Sequence, residues 1–263
     1  MDLGLQDARV FVAASSRGLG AATARRFSLE GARVVINGRN AESLADTVQA
    51  IRDESGNEVI GIPGDVANPH DLAEIMTSTT LRLGGLDILV TNAGGPPAGN
   101  FESTPLDAWE KAFELTVMST VRLIHAALPY LRESNRAAIL TITSVSIKQP
   151  IENLILSNSV RMAVGGLTKS LANELGPQGI RVNSILPGWT RTERVTELMQ
   201  SRARAQNMTV EEAIQRQAAG TPLGRMGEPE EFANVAVFLC SPAASYVHGA
   251  MVPVDGGSIR ATL

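Results

Sequence analysis

The chain has 263 residues, of which 44% are hydrophobic, and a formal net charge of −4. This length suits one large α/β domain with an extensive core. The acidic balance argues against a nucleic-acid partner, and neither a membrane-spanning apolar run nor a secretory leader is recognisable. One cysteine and three scattered histidines predict neither an internal disulfide nor a metal site. We expect a single cytoplasmic domain over residues 1–263 that binds a small molecule and has no nucleic-acid or membrane partner.

Seven short apolar runs have the length and composition of buried strands. In chain order they cover residues 9–13, 33–37, 59–63, 86–91, 137–143, 181–186 and 251–254. Segments with helical periodicity separate most of them, at residues 18–30, 41–55, 69–83, 105–133, 158–175 and 230–239. Strands that alternate with helices imply right-handed crossovers and a parallel sheet covered on both faces. The sequence therefore predicts a doubly wound α/β fold with a seven-stranded parallel sheet.

Residues 192–220 depart from this alternation. They insert charged, methionine-containing helical sequence between the sixth and seventh predicted strands. One interpretation is a mobile lid over a substrate pocket. The other is a solvated pair of helices with interleaved charges.

The first predicted strand ends in the sequence VAASSRGLG, residues 12–20, where the chain enters a helix. Such a turn suits phosphate binding, because glycine lets the backbone approach a pyrophosphate and a helix N-terminus offers free N–H groups. A tight turn without a ligand would also use glycines. The loop by itself leaves both interpretations open.

Three further motifs follow the third, fourth and sixth predicted strands: Asp65–Val66, TNAG at residues 91–94 and PGWTRT at residues 187–192. With them the chain resembles the classical short-chain dehydrogenase/reductase family almost from end to end. Its last third, PLGRMGEPEEFANVAVFLCSPAASYVHGAMVPVDGG, is similar to that of bacterial 3-oxoacyl-carrier-protein reductases. The resemblance implies a Rossmann-like fold, a nicotinamide dinucleotide cofactor and oxidoreductase activity.

The resemblance also assigns cofactor contacts to matched positions, all of which follow the carboxyl ends of predicted strands, where open α/β sheets bind ligands. These are Ser16, Arg17, Gly18, Leu19 and Gly20 near the phosphates, Asp65 and Val66 at the adenine, Asn92, Ala93 and Gly94 near the ribose, and Pro187, Gly188 and Thr192 around the nicotinamide.

The phosphate loop departs from the family pattern at Ala13 and Ala14, which stand where the family has threonine and its first glycine. A methyl group is thus introduced where the turn is tightest. Ala14 fits this turn without strain only if its φ is negative. We therefore expect this departure to lower the affinity for the cofactor if Ala14 has a positive φ.

The end of the second predicted strand indicates which dinucleotide is bound. An acidic residue there would bind the ribose hydroxyl of NAD and repel a 2′-phosphate, and none is present. Gly38 is followed by Arg39, and Arg17 in the glycine loop supplies a second guanidinium, a group well suited to phosphate. We therefore expect NADP(H) to be preferred over NAD(H); the alternative is that both arginines are solvated surface residues.

Three of the four catalytic positions implied by the resemblance carry a different residue in this chain. Ser144 matches the family serine that polarises the substrate carbonyl, but Ser157 and Arg161 replace the tyrosine and lysine of the Tyr-xxx-Lys motif. Thr116 stands where the family has an asparagine. Arg161 retains a positive charge one helical turn from Ser157, whereas a serine hydroxyl is a far weaker acid than a tuned phenol. Lys148 is the nearest alternative proton donor, or else an ordinary loop lysine.

Two functions follow from this altered site. The first is a divergent NADP(H)-dependent oxidoreductase acting on a carbonyl or alcohol, with Ser144, Ser157 and Arg161 as the catalytic group. The alternative is a catalytically silent nucleotide-binding protein, a sensor or scaffold, that keeps the fold. The resemblance also implies a homotetramer, with the helices that begin near Pro105 and Asn158 at one interface.

Overall fold

A seven-stranded, fully parallel sheet forms the centre of the computed structural model, which describes residues 1–262. The strands are β1 (Arg9–Val12), β2 (Arg33–Gly38), β3 (Val59–Pro63), β4 (Ile88–Thr91), β5 (Ala138–Ile142), β6 (Arg181–Pro187) and β7 (Met251–Val254). Their order in the sheet is β3-β2-β1-β4-β5-β6-β7, and each neighbouring pair is parallel. The predicted doubly wound sheet is confirmed, and some strands are a residue or two shorter than predicted.

Helices cover both faces of this sheet. They are α1 (Gly18–Leu29), α2 (Ala41–Ser55), α3 (Pro69–Leu83), α4 (Leu106–Phe113), α5 (Ser119–Leu131), α6 (Ile155–Leu175), α7 (Glu193–Gln206), α8 (Val210–Ala219) and α9 (Pro229–Cys240). Phe27, Leu44 and Phe232 bring α1, α2 and α9 into one apolar core, while Ile75, Leu123 and Ala172 bring α3, α5 and α6 into a second. Within residues 1–262, no helix is both long and apolar enough to span a membrane.

The predicted helix over residues 105–133 is interrupted in the structure. Between α4 and α5 the chain forms a π-helical turn over Glu114–Met118. A π turn contains one residue more than an α-helical turn, so the helix is locally widened there. Thr116 lies in this turn, where its hydroxyl is buried and has no hydrogen-bond partner among the described residues. The π turn therefore falls where the sequence departs from the family's asparagine.

The segment predicted as a lid or a solvated helical pair forms α7 and α8, two packed helices with a small apolar core of their own. Met199 and Ala203 of α7 pack with Ala213 of α8 and with Met226 beyond it. The guanidinium of Arg202 lies 5.4 Å from the centre of the Trp189 ring, which ties α7 to the chain after β6. The pair is therefore an ordered hairpin rather than a purely solvated one, and its movement as a lid stays a prediction.

Candidate functional site

A cleft of about 530 Å³ opens along the carboxyl ends of the strands, between the loops that follow β1, β2, β3, β4, β5 and β6. The hairpin of α7 and α8 borders it through residues near the start of α7. The residues proposed from the sequence that line this cleft are Ser16, Arg17, Gly18, Leu19, Arg39, Asp65, Val66, Asn92, Ala93, Gly94, Ser144, Ser157, Arg161, Pro187, Gly188 and Thr192. Positions scattered over 177 residues of sequence therefore meet in one site.

Gly20 is the proposed cofactor residue that does not line the cleft. A Cβ atom on Gly20 would come within 2.6 Å of the Ala14 carbonyl oxygen and 2.8 Å of the Ser15 Cα. The residue is buried where α1 presses against the turn after β1. Its role is therefore to let the helix approach the strand, and its contribution to a ligand site is indirect.

The N-terminus of α1 points its free backbone donors toward the cleft. No side chain caps this helix, and its first turn contains no acidic residue, although helix starts are usually capped by a side-chain oxygen. A Cβ atom on Gly94, across the cleft, would meet nothing within 4 Å. Uncapped N–H groups, a favourable helix dipole and open space together fit the pyrophosphate of a dinucleotide.

Ala14 adopts a left-handed backbone conformation, with φ at 46°, and so does not have the negative φ that would make it strain-free. The turn after β1 forces this geometry, because Ala14 donates through its N–H to Asn37 Oδ1 (3.4 Å) and accepts from Asn92 Nδ2 (3.0 Å). The left-handed region costs an alanine roughly 1 kcal/mol or more relative to glycine. The turn keeps its shape and stores strain.

Two guanidinium groups flank the end of β2. Arg39 Nη1 lies 3.9 Å from Asp65 Oδ2, and Arg17 Nη1 lies 4.0 Å from Glu197 Oε1 on α7. Their side chains are 76% and 63% exposed, so these contacts are weak and leave both groups free to bind another anion. A Cβ atom on Gly38 would meet the Ser16 side chain at 2.7 Å, so the chain has no room for an acidic side chain there.

Ser144 follows β5 and starts the short 3-10 turn Val145–Ile147. Its Oγ accepts a hydrogen bond from the Ser146 N–H at 3.0 Å. This bond fixes the oxygen while leaving the Ser144 hydroxyl proton available to an acceptor in the cleft.

Ser157 and Arg161 lie one turn apart on α6. Arg161 donates from Nε to Ser157 Oγ (3.1 Å) and from Nη1 to the carbonyl of Thr143 (2.8 Å). Burial, followed by the nearby charge of Arg194, lowers the pKa of Arg161 to about 10, so the group remains protonated at neutral pH. The guanidinium is thereby anchored beside Ser144 at the end of β5.

Lys148, considered from the sequence as a proton donor, lies outside this arrangement. Its side chain is exposed, and it does not line the cleft, because the turn after Ser144 directs it to the surface. This placement favours the alternative interpretation, an ordinary loop lysine. Among residues 1–262 there is also no group of three or more histidine, cysteine, aspartate or glutamate side chains that could hold a metal ion.

Sequence reasoning missed two functional features. Arg194, in the first turn of α7, reaches into the cleft and donates from Nη2 to the Pro96 carbonyl at 2.8 Å. Asn158 holds the loop after Ser144, with Oδ1 accepting from the Ile151 N–H (3.2 Å) and Nδ2 donating to the Ile151 carbonyl (2.9 Å). In the sequence, each of these two residues is recognisable only as a polar residue in the first turn of a predicted helix. That pattern does not reveal which backbone group the side chain binds.

Two loops that border the substrate side of the cleft are also joined to each other. Gly99 and Leu154 form a parallel bridge, in which the Gly99 N–H donates to the Asn153 carbonyl (2.7 Å) and the Ile155 N–H donates to the Gly99 carbonyl (3.2 Å). The loop after β4 and the loop after β5 therefore form one continuous wall.

Comparisons with known proteins agree with this architecture. The family model described as enoyl-(acyl carrier protein) reductase matches residues 13–258. Dehydrogenase/reductase SDR family member 4 of Sus scrofa is 34% identical to this chain, and the match covers 97% of the chain and 88% of that protein. The 7alpha-hydroxysteroid dehydrogenase of Escherichia coli (strain K12) is 31% identical, with 95% of this chain and 93% of that protein covered.

Among solved structures, L-sorbose reductase from Gluconobacter frateurii complexed with NADPH and L-sorbose has a TM-score of 0.94 at 31% identity, covering 99% of this chain and 100% of that one. A 7 alpha-hydroxysteroid dehydrogenase complexed with NADH and 7-oxo glycochenodeoxycholic acid has a TM-score of 0.89 at 31% identity, with 100% and 98% covered. The sheet order, the cleft and these matches agree. The chain belongs to the short-chain dehydrogenase/reductase family of oxidoreductases.

Proposed function

We propose that the protein is an NADP(H)-dependent oxidoreductase that interconverts a carbonyl and an alcohol through an altered catalytic group. The observation that carries this proposal is that Ser144, Ser157 and Arg161 line the same cleft as the uncapped N-terminus of α1. A dinucleotide site and three groups able to bind a substrate oxygen are thus continuous.

The nucleotide end of the cleft supports NADP(H) in particular. The N–H groups at the start of α1 would hold the pyrophosphate, and Arg17 and Arg39 would flank a 2′-phosphate. When bound, the cofactor supplies or accepts a hydride. The solved L-sorbose reductase was complexed with NADPH, and YwfH, 26% identical with a TM-score of 0.92, is described as an NADPH dependent reductase.

The catalytic end of the cleft polarises an oxygen rather than presenting a phenol. Because Ser144 Oγ and Ser157 Oγ each already accept a hydrogen bond, both hydroxyl protons are available to donate to a substrate carbonyl oxygen. Arg161, still protonated, stabilises negative charge that develops on that oxygen. In place of the phenol, Ser157 would serve either through its own hydroxyl or by holding a water that supplies the proton.

The absence of a tyrosine phenol at position 157 lowers the turnover rate that we expect. General acid catalysis is worth about 10² to 10⁴ in rate, so the reaction is expected to be slower than in family members with tyrosine by about that factor. A catalytically silent nucleotide-binding protein would have the same cleft. That alternative does not explain why the Ser144 hydroxyl lies in the cleft beside Ser157 and Arg161.

The test is direct. NADPH and NADH fluorescence titrations measure binding, and turnover is followed with a panel of aldehydes, ketones and alcohols. We expect NADPH to bind more tightly and the variant Ser144→Ala to lose turnover while retaining NADPH affinity. If neither dinucleotide binds at millimolar concentration, the proposal is wrong; binding without turnover on every substrate would support the silent alternative.

We also propose that the chain assembles as a homotetramer with α4 and α6 at one interface. Leu106 and Phe113 on α4 and Met162 on α6 are large apolar side chains that are 83%, 45% and 53% exposed. Exposed apolar residues clustered on neighbouring helices are typical of interfaces. Light scattering should give four copies for the wild type, and Phe113→Glu together with Met162→Glu should lower that number.

A further inference from the structure

We propose that the substrate carries a carboxylate close to its reacting carbon, and that Arg194 and Arg161 together bind that carboxylate. This inference rests on the proposed oxidoreductase function and names the chemical class of its substrate. It makes Arg194 a specificity residue supplied by α7.

The first observation is that Arg161 has no acidic partner. Its hydrogen bonds go to the Ser157 hydroxyl and to the backbone carbonyls of Ile142 and Thr143, all neutral acceptors. Among residues 1–262, no carboxylate oxygen lies within 4.0 Å of its nitrogens. A partly buried guanidinium without a counter-charge is unfavourable, and an anionic ligand would compensate it.

The second observation is the placement of Arg194. Its guanidinium lies across the loop after β4, where a Cβ atom on Gly95 would be 3.2 Å from Nε and where Nη2 donates to the Pro96 carbonyl. Its ion pair with Glu197 is loose, with 3.6 Å between Nη1 and Oε2, and the side chain is 41% exposed. Arg194 is therefore held at the cleft while retaining donors for a ligand.

The third observation is the distribution of charge along the cleft. Its three carboxylates belong to Asp65, Glu193 and Glu197, and none of them forms an ion pair with Arg161. Asp65 faces Arg39, Glu197 faces Arg17, and Glu193 Oε2 lies 3.7 Å from where a Cβ atom on Gly18 would be. Arg194 shares Glu197 with Arg17, so Arg161 is the one cation lining the cleft that has no carboxylate partner among the described residues.

The electrostatics of Arg161 agrees with this assignment. Burial, and after it the charge of Arg194, lowers the pKa of Arg161, and this second contribution is a repulsion between like charges that line the same cleft. A carboxylate between them would turn this repulsion into attraction. Its planar shape matches the donor geometry of guanidinium groups, and its charge would raise the pKa of Arg161 again.

The experiment compares acids with their neutral esters. The probes are 2-oxobutanoate, 3-oxobutanoate and their methyl esters, with inorganic phosphate as a test for a different anion. Each is titrated against the protein with and without NADPH, with thermal shift and intrinsic fluorescence as readouts that need no turnover. Turnover of the two acids and two esters is measured separately.

We expect saturable binding of at least one acid, and a dissociation constant for its ester that is larger by about tenfold to a hundredfold. Arg194→Gln should weaken binding of the acid by a similar factor and leave the ester unchanged. Arg204→Gln, an exposed position on the same helix outside the cleft, is the matched control and should change neither.

Equal binding of acid and ester, equal effects of Arg194→Gln on both, absence of acid binding, or preferential binding of phosphate would each overturn the inference. These outcomes are distinct from failure of the proposed function. A protein that binds NADPH and reduces the esters but not the acids refutes only the carboxylate, whereas a protein that binds neither dinucleotide refutes the oxidoreductase.

Discussion

Arg161 Nε donates a hydrogen bond to Ser157 Oγ across one turn of α6, at 3.1 Å, so the two residues that the sequence comparison places at the family's tyrosine and lysine positions contact each other. In this chain the cation fixes the hydroxyl, and Thr143 in turn fixes the cation through its backbone carbonyl. The two residues form one unit, and a test of the proposed catalytic group should change them together.

The double variant Ser157→Tyr with Arg161→Lys should raise carbonyl reduction by about 10² to 10⁴, because it restores a phenol whose pKa a nearby ammonium can lower. Steady-state turnover with NADPH measures the gain. Ser157→Tyr alone is the control, since it supplies the phenol but keeps the guanidinium. A wild type faster than the double variant would show that Ser157 and Arg161 perform a chemistry of their own.

Arg39→Gln should weaken NADPH binding by about tenfold and leave NADH binding unchanged, because only NADPH has the 2′-phosphate that this exposed guanidinium would contact. Fluorescence titration of both cofactors measures the ratio. Arg52→Gln is the matched control, because it removes one positive charge at an exposed position of α2 outside the cleft. Equal weakening of both cofactors would argue against a 2′-phosphate site at Arg39.

Asn158→Ala should release the loop after Ser144, because both amide atoms of Asn158 bond to the backbone of Ile151. We expect a loss of about 1–2 kcal/mol in the free energy of unfolding and a higher KM. Urea denaturation and steady-state kinetics measure these effects. Asn158→Asp keeps the acceptor but loses the donor, so its defect should be intermediate; a defect as large as that of alanine would show that the donor dominates.

Asp87 gives the stability a defined pH dependence. Burial disfavours its charge, but hydrogen bonds from Arg9 and Ser134 outweigh burial and hold the pKa of Asp87 below its usual range. A lowered pKa in the folded state stabilises the protein above the unfolded value of about 3.9, and this contribution is lost as the pH falls through the folded value.

Asp87→Asn should therefore lower the free energy of unfolding by about 2 kcal/mol at neutral pH, and the difference from wild type should shrink below about pH 4. Urea denaturation across the pH range measures it. Asp46→Asn, at an exposed carboxylate of α2 outside any ion pair among the described residues, is the control. A difference that stays constant down to acidic pH would contradict the assignment.

Ala14→Gly should stabilise the protein by about 0.5–1 kcal/mol, because relief of left-handed strain exceeds the added flexibility of the unfolded chain. Denaturation midpoints at equal protein concentration measure the change. Ala13→Gly, at a fully buried neighbour without a positive φ, should instead be destabilising. If both variants lost stability, the strain at Ala14 would be negligible.

The sheet was predictable because parallel strands are covered on both faces. β2 contains the apolar run Val34–Ile36, and every residue from Val34 to Gly38 is buried. The approximate location of the nucleotide site was predictable for a related reason, since ligand loops follow the carboxyl ends of such strands. Local composition and chain order were sufficient for both.

Other features depend on contacts that one-dimensional patterns do not contain. The π turn at Glu114–Met118 adds one residue to a helical ridge without changing its apolar character. The positive φ of Ala14 is imposed by Asn37 in β2 and by Asn92 in the loop after β4. The approach of Arg194 to Pro96 depends on how α7 packs beside the cleft, and charged residues in that segment look alike in sequence.

The parallel bridge between Gly99 and Leu154 has a kinetic consequence. Two segments separated by more than fifty residues are joined there by backbone hydrogen bonds, so one cannot swing outward without pulling the other. We therefore expect a reactant to enter on the opposite flank, between this wall and the first turn of α7. Movement of the hairpin of α7 and α8 around Arg194 would then control entry, because it would leave the hydrogen bonds of the sheet intact.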